Sequence, residues 1–165
     1  MYYFAYGSNM SIKRLKERVL SANLITIASL HRHTLRFHKK GIDGSGKCNA
    51  CETGNAKHSV IGVVFDIDIS EKPALDRKEG LGHGYDEKPV ELVTHSGELL
   101  QAYTYYARLI DSTLKPYHWY KKHVLIGARE NRLPENYIET IDSIESIPDP
   151  MPERHEIEMR LYGKF

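Results

Sequence analysis

The stretch Ser59–Ile69, SVIGVVFDIDI, is the strongest strand signal in the chain and does most to limit what it can fold into. β-branched residues and Phe crowd into it, as they do in strands. More strands surround it. MYYFAY (1–6), ANLITIASL (22–30) and HTLRFHK (33–39) precede it. Residues 85–109, YDEKPVELVTHSGELLQAYTYYARL, follow as two strands around the turn HSGE, a predicted antiparallel hairpin. Helical patterns gather near the end, at about Tyr117 to Ala128 and Glu135 to Ile144. Past the breaker IPDPMP, ERHEIEMRLY suits a last helix. Antiparallel turns outnumber βαβ units, so an α+β domain is expected, a curved sheet or small barrel decorated by helices.

Two shorter helices are predicted between the strands. Ser11 is placed to cap one that runs to about Val19, with Ile12, Leu15 and Val19 on one face. Ser70 is placed to cap EKPALDRKE (71–79), where Pro73 is tolerated in the first turn and Gly80 stands at the C-terminal cap. Residues 40–58, KGIDGSGKCNACETGNAKH, read mostly as loop, with room for a short strand.

Bulk properties exclude several classes of function. A net charge of +1 makes no case for nucleic acid or an anionic membrane as partner. No apolar run is long enough to span a bilayer. The start MYYFAYGSNM lacks the basic, apolar and small-residue parts of a signal peptide, so a cytoplasmic location is expected. The two cysteines, Cys48 and Cys51, are too few for a disulfide scaffold, in keeping with a reducing compartment.

Three motifs invite chemistry and fail on context. GIDGSGK (41–47) fits the start of a phosphate-binding loop, but Cys48 stands where Ser or Thr should reach magnesium. RFHKK is a poor buried strand before it, and CNACETGN a poor helix after it. CNAC sits in the same Gly/Asn-rich stretch, without the helix N-terminus that would activate a thiolate. Zinc would need further ligands, which His31, His33, His38 or His58 would have to bring from elsewhere. No metal is expected. His31 and His33 share a strand face but have no carboxylate beside them in sequence, so strand-edge histidines are the reading.

Two features remain. In FAYGSNM (4–10) a strand ends at a small polar loop that opens a helix. In LDRKEG (75–80), Glu79 lies four residues after Leu75, on the same helical face and one residue before a glycine. Burial beside that stripe and the negative end of the helix dipole both disfavour the charged form, which suits a general acid/base. From these residues alone, a boundary glutamate paired to a surface Lys or Arg is the plainer reading.

Taken in order, the segments resemble the γ-glutamylcyclotransferases. YFAYGSNM is similar to that family's N-terminal loop. VIGVVFDI followed by LDRKEG resembles its strand and acidic helix, and YKKHVLIGARENRLPENYIETI its helix, Gly-Ala turn and Leu-Pro-x-x-Tyr helix start. The match runs from about Tyr2 to Ile144. It implies a small mixed β-barrel flanked by helices over 1–147, with 148–165 a partly helical tail. It also implies conversion of a small γ-glutamyl compound to 5-oxoproline without metal or cofactor, by a monomer or homodimer. Glu79 takes the family's acidic position. Tyr6, Gly7, Ser8, Asn9, Tyr103 and Tyr120 take substrate-binding positions. GSGKCNACE departs from the family, whose animal members carry a tryptophan-glycine stretch there. A binding module on the same fold, with no chemistry, is the alternative.

Overall fold

A computed structural model of the chain describes residues 1–163. Five strands close a barrel in the order β1 (Tyr2–Ala5), β5 (Ser59–Asp66), β2 (Asn23–His31), β6 (Tyr85–Thr94) and β7 (Leu99–Ala107). The pair β1–β7 is parallel and the others are antiparallel, so the α+β mixed barrel is the observed fold. β5 lies between β1 and β2, and Val60, Val63, Val64 and Phe65 have no exposed surface. Its apolar run lacks alternation because both of its faces are covered. The hairpin β6–β7 turns at 95–98, where Thr94 N–H donates to the Glu98 carbonyl and Gly97 takes φ +86°.

The segment expected to be mostly loop carries a seven-residue strand, β4 (Gly46–Glu52), paired with β3 (His33–Lys40) in a separate two-stranded sheet. Gly, Asn and Cys favour strands weakly, and tertiary bonds override that preference. Asn49 Oδ1 accepts from the Ala107 N–H at 2.9 Å, and Tyr85 Oη donates to the Cys48 carbonyl at 2.7 Å. The strand also disposes of two motifs. GIDGSGK leads into β4 instead of a helix. Cys48 and Cys51, three apart on a strand, face opposite sides, the first buried and the second half-buried.

The helices are α1 (Ile12–Lys16), α2 (Lys72–Glu79), α3 (His118–Glu130), α4 (Glu135–Asp142) and α5 (Pro152–Met159). α1 is shorter than predicted, yet Leu15 and Val19 are fully buried as their spacing requires. Ser11 makes no capping bond. Ser70 is not the cap ahead of α2 either. A 3₁₀ turn over Ile69–Glu71 starts one turn earlier, and Asp68 Oδ1 caps it by accepting from the Ser70 N–H at 2.8 Å. Gly80 ends α2 in the left-handed region, φ +71°, as predicted. The Gly-Ala pair at 127–128 does not turn the chain, because α3 runs on to Glu130.

The tail packs on the body through α5. Glu158 Oε2 lies 2.7 Å from Arg14 Nη1 and 3.0 Å from the fully buried His123 Nε2, while Tyr162 Oη lies 2.7 Å from His123 Nδ1. Burial pushes the His123 imidazole down to about 4. Burial alone would raise Glu158, but its hydrogen bond to His123 and the charge of Arg14 bring it down to about 2. At both groups the folded state binds fewer protons than the unfolded chain, so stability falls as pH falls. The loss starts below about pH 6.5, the ordinary histidine value, and continues through the ordinary glutamate range near about 4.3. Thermal melts from pH 8 to 3 should show this descent. His123→Gln should flatten its upper part and, because Arg14 still faces Glu158, shrink the lower part without abolishing it.

Candidate active site

The site forms where β1 leaves the barrel. Tyr6 ends the apolar run, Gly7 precedes a 3₁₀ turn over Ser8–Met10, and α1 follows directly. The first N–H groups of such a turn have no acceptor inside it. Ser8, Asn9 and Met10 are buried, because α3 lies across the turn. Gly127 permits that approach. A Cβ there would fall 2.5 Å from the Ser11 nitrogen and 2.7 Å from the Met10 carbonyl carbon. Asn131 on the same helix donates to the Met10 carbonyl at 2.9 Å. The loop is thus held from behind by backbone contact.

Glu79 arrives from the end of α2. Leu75, with no exposed surface, fixes that helix on the core, and the turn after it carries Glu79 to the loop. Asn9 Nδ2 donates to Glu79 Oε1 at 2.9 Å and to Tyr3 Oη at 2.9 Å. Arg18 Nη1 donates to the same Oε1 at 2.6 Å and to Asn9 Oδ1 at 2.7 Å. Both carboxylate bonds go to Oε1, and no other described residue bonds Oε2. From the sequence, burial and the helix dipole are the forces expected on this group. The structure adds a cation 61 residues away in sequence, with both side chains about 15% exposed. Asp76 of the same helix accepts from Tyr105 Oη at 2.6 Å and pairs with Lys72.

One cavity collects Tyr6, Gly7, Ser8, Asn9, Glu79 and Tyr120 from three separate stretches of the chain, four of them in one loop. Tyr120 Oη accepts from the Cys48 N–H at 3.1 Å, which docks β4 against α3. Tyr6 Oη donates to the Tyr105 carbonyl at 2.7 Å. Tyr103 does not line the cavity. Its ring lies behind Tyr3, at 5.4 Å between centroids, and Tyr105 from the same strand face lines the cavity instead. Tyr3, Tyr85 and Cys48 complete the wall and carried no sequence signal of that role. Burial pushes the Cys48 thiol up to about 12 and raises Tyr120 and Tyr85 above the ordinary tyrosine value. These groups therefore offer neutral donors and acceptors and no thiolate or phenolate. Among the described residues no three His, Cys, Asp or Glu side chains converge as a metal site, and no helix is long and apolar enough to cross a membrane.

The chain is thus a closed mixed barrel with a glycine-opened loop beside a carboxylate, and the AIG2-like family model matches its residues 59–141. Gamma-glutamylcyclotransferase of Homo sapiens is 32% identical over 151 residues, covering 87% of this chain and 78% of that protein. The Bos taurus protein of the same name is 31% identical over 153 residues, with the same coverage. A solved structure named gamma-glutamyl cyclotransferase superposes with a TM-score of 0.86 at 28% identity, covering 96% of this chain and 98% of that one. An uncharacterized protein of Homo sapiens, refined as an ensemble, gives 0.84 with the same identity and coverage. The chain belongs to the γ-glutamylcyclotransferase family.

Proposed function

We propose that this protein is a γ-glutamylcyclotransferase in which Glu79 moves the proton and the 6–9 loop holds the charge that develops on the substrate. The observation that carries the reading is the placement of Glu79 beside the loop, with Oε1 tied to Asn9 and Arg18 and Oε2 left for a ligand.

The reaction asks little of the protein. The substrate's own α-amine attacks its own γ-carbonyl carbon, so the nucleophile is already tethered and orientation supplies much of the acceleration. Glu79 takes a proton from the α-ammonium and frees the nitrogen lone pair. The new C–N bond closes a five-membered ring, and the carbonyl electrons move onto oxygen. Backbone N–H groups of the Gly7-Ser8-Asn9 turn are the donors at hand for that oxyanion. Collapse re-forms the carbonyl and breaks the bond to the departing nitrogen. The protons lost by the α-nitrogen end on the departing amine, by way of Glu79. Water is not consumed, and the products are 5-oxoproline and the free amine.

Neutral tyrosines suit this site, since Tyr120 and Tyr105 can shape the pocket without adding charge near the carboxylate. A binding module with no chemistry would have no use for a free carboxylate oxygen in the cavity. Incubation with a panel of γ-glutamyl amino acids and amines should give 5-oxoproline from at least one. No product from a broad panel would sink the reading.

A further inference from the structure

The cavity opens onto a wider cleft, with Ser8, Glu79, Tyr85 and Tyr120 shared between them. Whatever hangs from the departing nitrogen must lie in that cleft. Arg14, Arg18, Lys39, Lys47, Arg77 and Lys78 line it, and Glu79 is the one carboxylate among the lining residues. The chain as a whole carries a net charge of only +1, so this concentration is local.

Three of these cations are already neutralised. Arg18 pairs with Glu79, Arg14 with Glu158, and Lys47 with Asp43 at 2.7 Å. Lys39, Arg77 and Lys78 have no carboxylate within ion-pair distance among the described residues. Arg77 and Lys78 are exposed. Lys39 is different. It is 7% exposed, and its Nζ has no hydrogen-bond acceptor among the described residues. Burial lowers its affinity for the proton.

The local structure forces Lys39 into this place. The β3–β4 register slips between Arg36 and Lys39, a bulge that re-aims the end of β3. Nζ then lies 4.6 Å from the centre of the Tyr85 ring, in space left open by Gly84, where a Cβ would fall 2.7 Å from it. The register also sets Lys39 directly opposite Lys47, and like charges so placed are destabilising. A mostly buried lysine with no ion pair, attracted only at longer range by Glu79 and Asp43 and facing Lys47 across the ladder, is costly, and such groups cluster at functional sites.

We propose that the cleft selects γ-glutamyl conjugates of an acidic amino acid, with Lys39 the residue that reads the side-chain carboxylate of the departing amine. This rests on the reading of the inner cavity as the cyclisation site. A carboxylate at Lys39 gives its ammonium the ion pair it lacks, and Arg77 and Lys78 lie along the same cleft for the second one.

The test compares γ-glutamyl-glutamate with γ-glutamyl-glutamine, which has nearly the same shape and one negative charge less. The wild type should favour the glutamate conjugate by about tenfold or more in kcat/KM, the effect expected of one charge-assisted hydrogen bond. The difference should lie in KM. In Lys39→Met the ratio should fall to near one, and Lys39→Arg should retain most of it. Lys39→Met should also melt a few degrees higher, since a buried charge is removed. A double variant, Arg77→Gln with Lys78→Gln, lies on an exposed helix face and gives a second reading should Lys39→Met fail to fold. It should lower the ratio through KM.

Equal turnover of the two conjugates by the wild type would overturn the inference and leave the cyclisation reading intact. So would an unchanged ratio in Lys39→Met. Calorimetry with both conjugates separates the two claims. Tighter binding of the glutamate conjugate without any turnover would support the charge selection and remove the cyclisation chemistry.

Discussion

Glu79→Gln should lower kcat for 5-oxoproline formation by about 10²- to 10⁴-fold, the range expected when a positioned proton carrier is lost. Geometry makes this substitution informative. The Gln carbonyl oxygen can accept the same two bonds that Oε1 accepts from Asn9 and Arg18. Arg18 also keeps its bond to Asn9 Oδ1, so the loop retains its support. What disappears is the ability to take a proton from the α-ammonium and return it. Substrate affinity, measured by calorimetry, should therefore change far less than kcat. A variant that stays within about tenfold of the wild type would remove Glu79 from the proton-transfer step.

Gly127→Ala should damage the site from behind. The added methyl would meet the Ser11 nitrogen and Met10 carbonyl carbon at 2.5 and 2.7 Å, both backbone atoms that cannot swing aside. Either α3 or the loop must move. Overpacking of this kind costs about 1–3 kcal/mol, which is a fall of several degrees in Tm for a chain of this size. The activity effect should be larger than the stability effect suggests, because a shift of about 1 Å in a positioning loop can cost about 10²-fold. Steady-state rates on the folded variant, with a melt alongside, check both parts. A variant with wild-type Tm and wild-type activity would show that α3 does not fix the loop.

How much of this was legible in the sequence depends on how local each signal is. The barrel strands, the β6–β7 hairpin and the Gly80 cap rest on patterns within a few residues, and they stand where expected. The strand β4 has poor local propensity, because its stability comes from Asn49 and Cys48 bonding to β7 and Tyr85. A turn at the Gly-Ala pair is implied only by the family resemblance, while the helical pattern itself runs through it to Ala128. The reason for Gly127, contact with the loop, lies across the fold. Tyr103 and Tyr105 share a strand face, and alternation cannot say which of the two reaches the cavity.

The site itself was legible only in halves. The loop and Glu79 each have a plain alternative, and it was the order of the segments that brought them together. Arg18 carried no signal, since an ion pair spanning 61 residues leaves no mark in local sequence. The plain alternative for Glu79, a partnered boundary carboxylate, describes half of what is there. Glu79 is partnered, and the same partner orients it toward the cavity.

The most direct measurement is a product balance in ¹⁸O-labelled water. Ring closure by the substrate's own amine consumes no water, so 5-oxoproline and free amine should appear in equal amounts, with no ¹⁸O in the 5-oxoproline and no free glutamate. Free glutamate carrying ¹⁸O in its side-chain carboxylate would mean that water is the nucleophile, and would contradict the account.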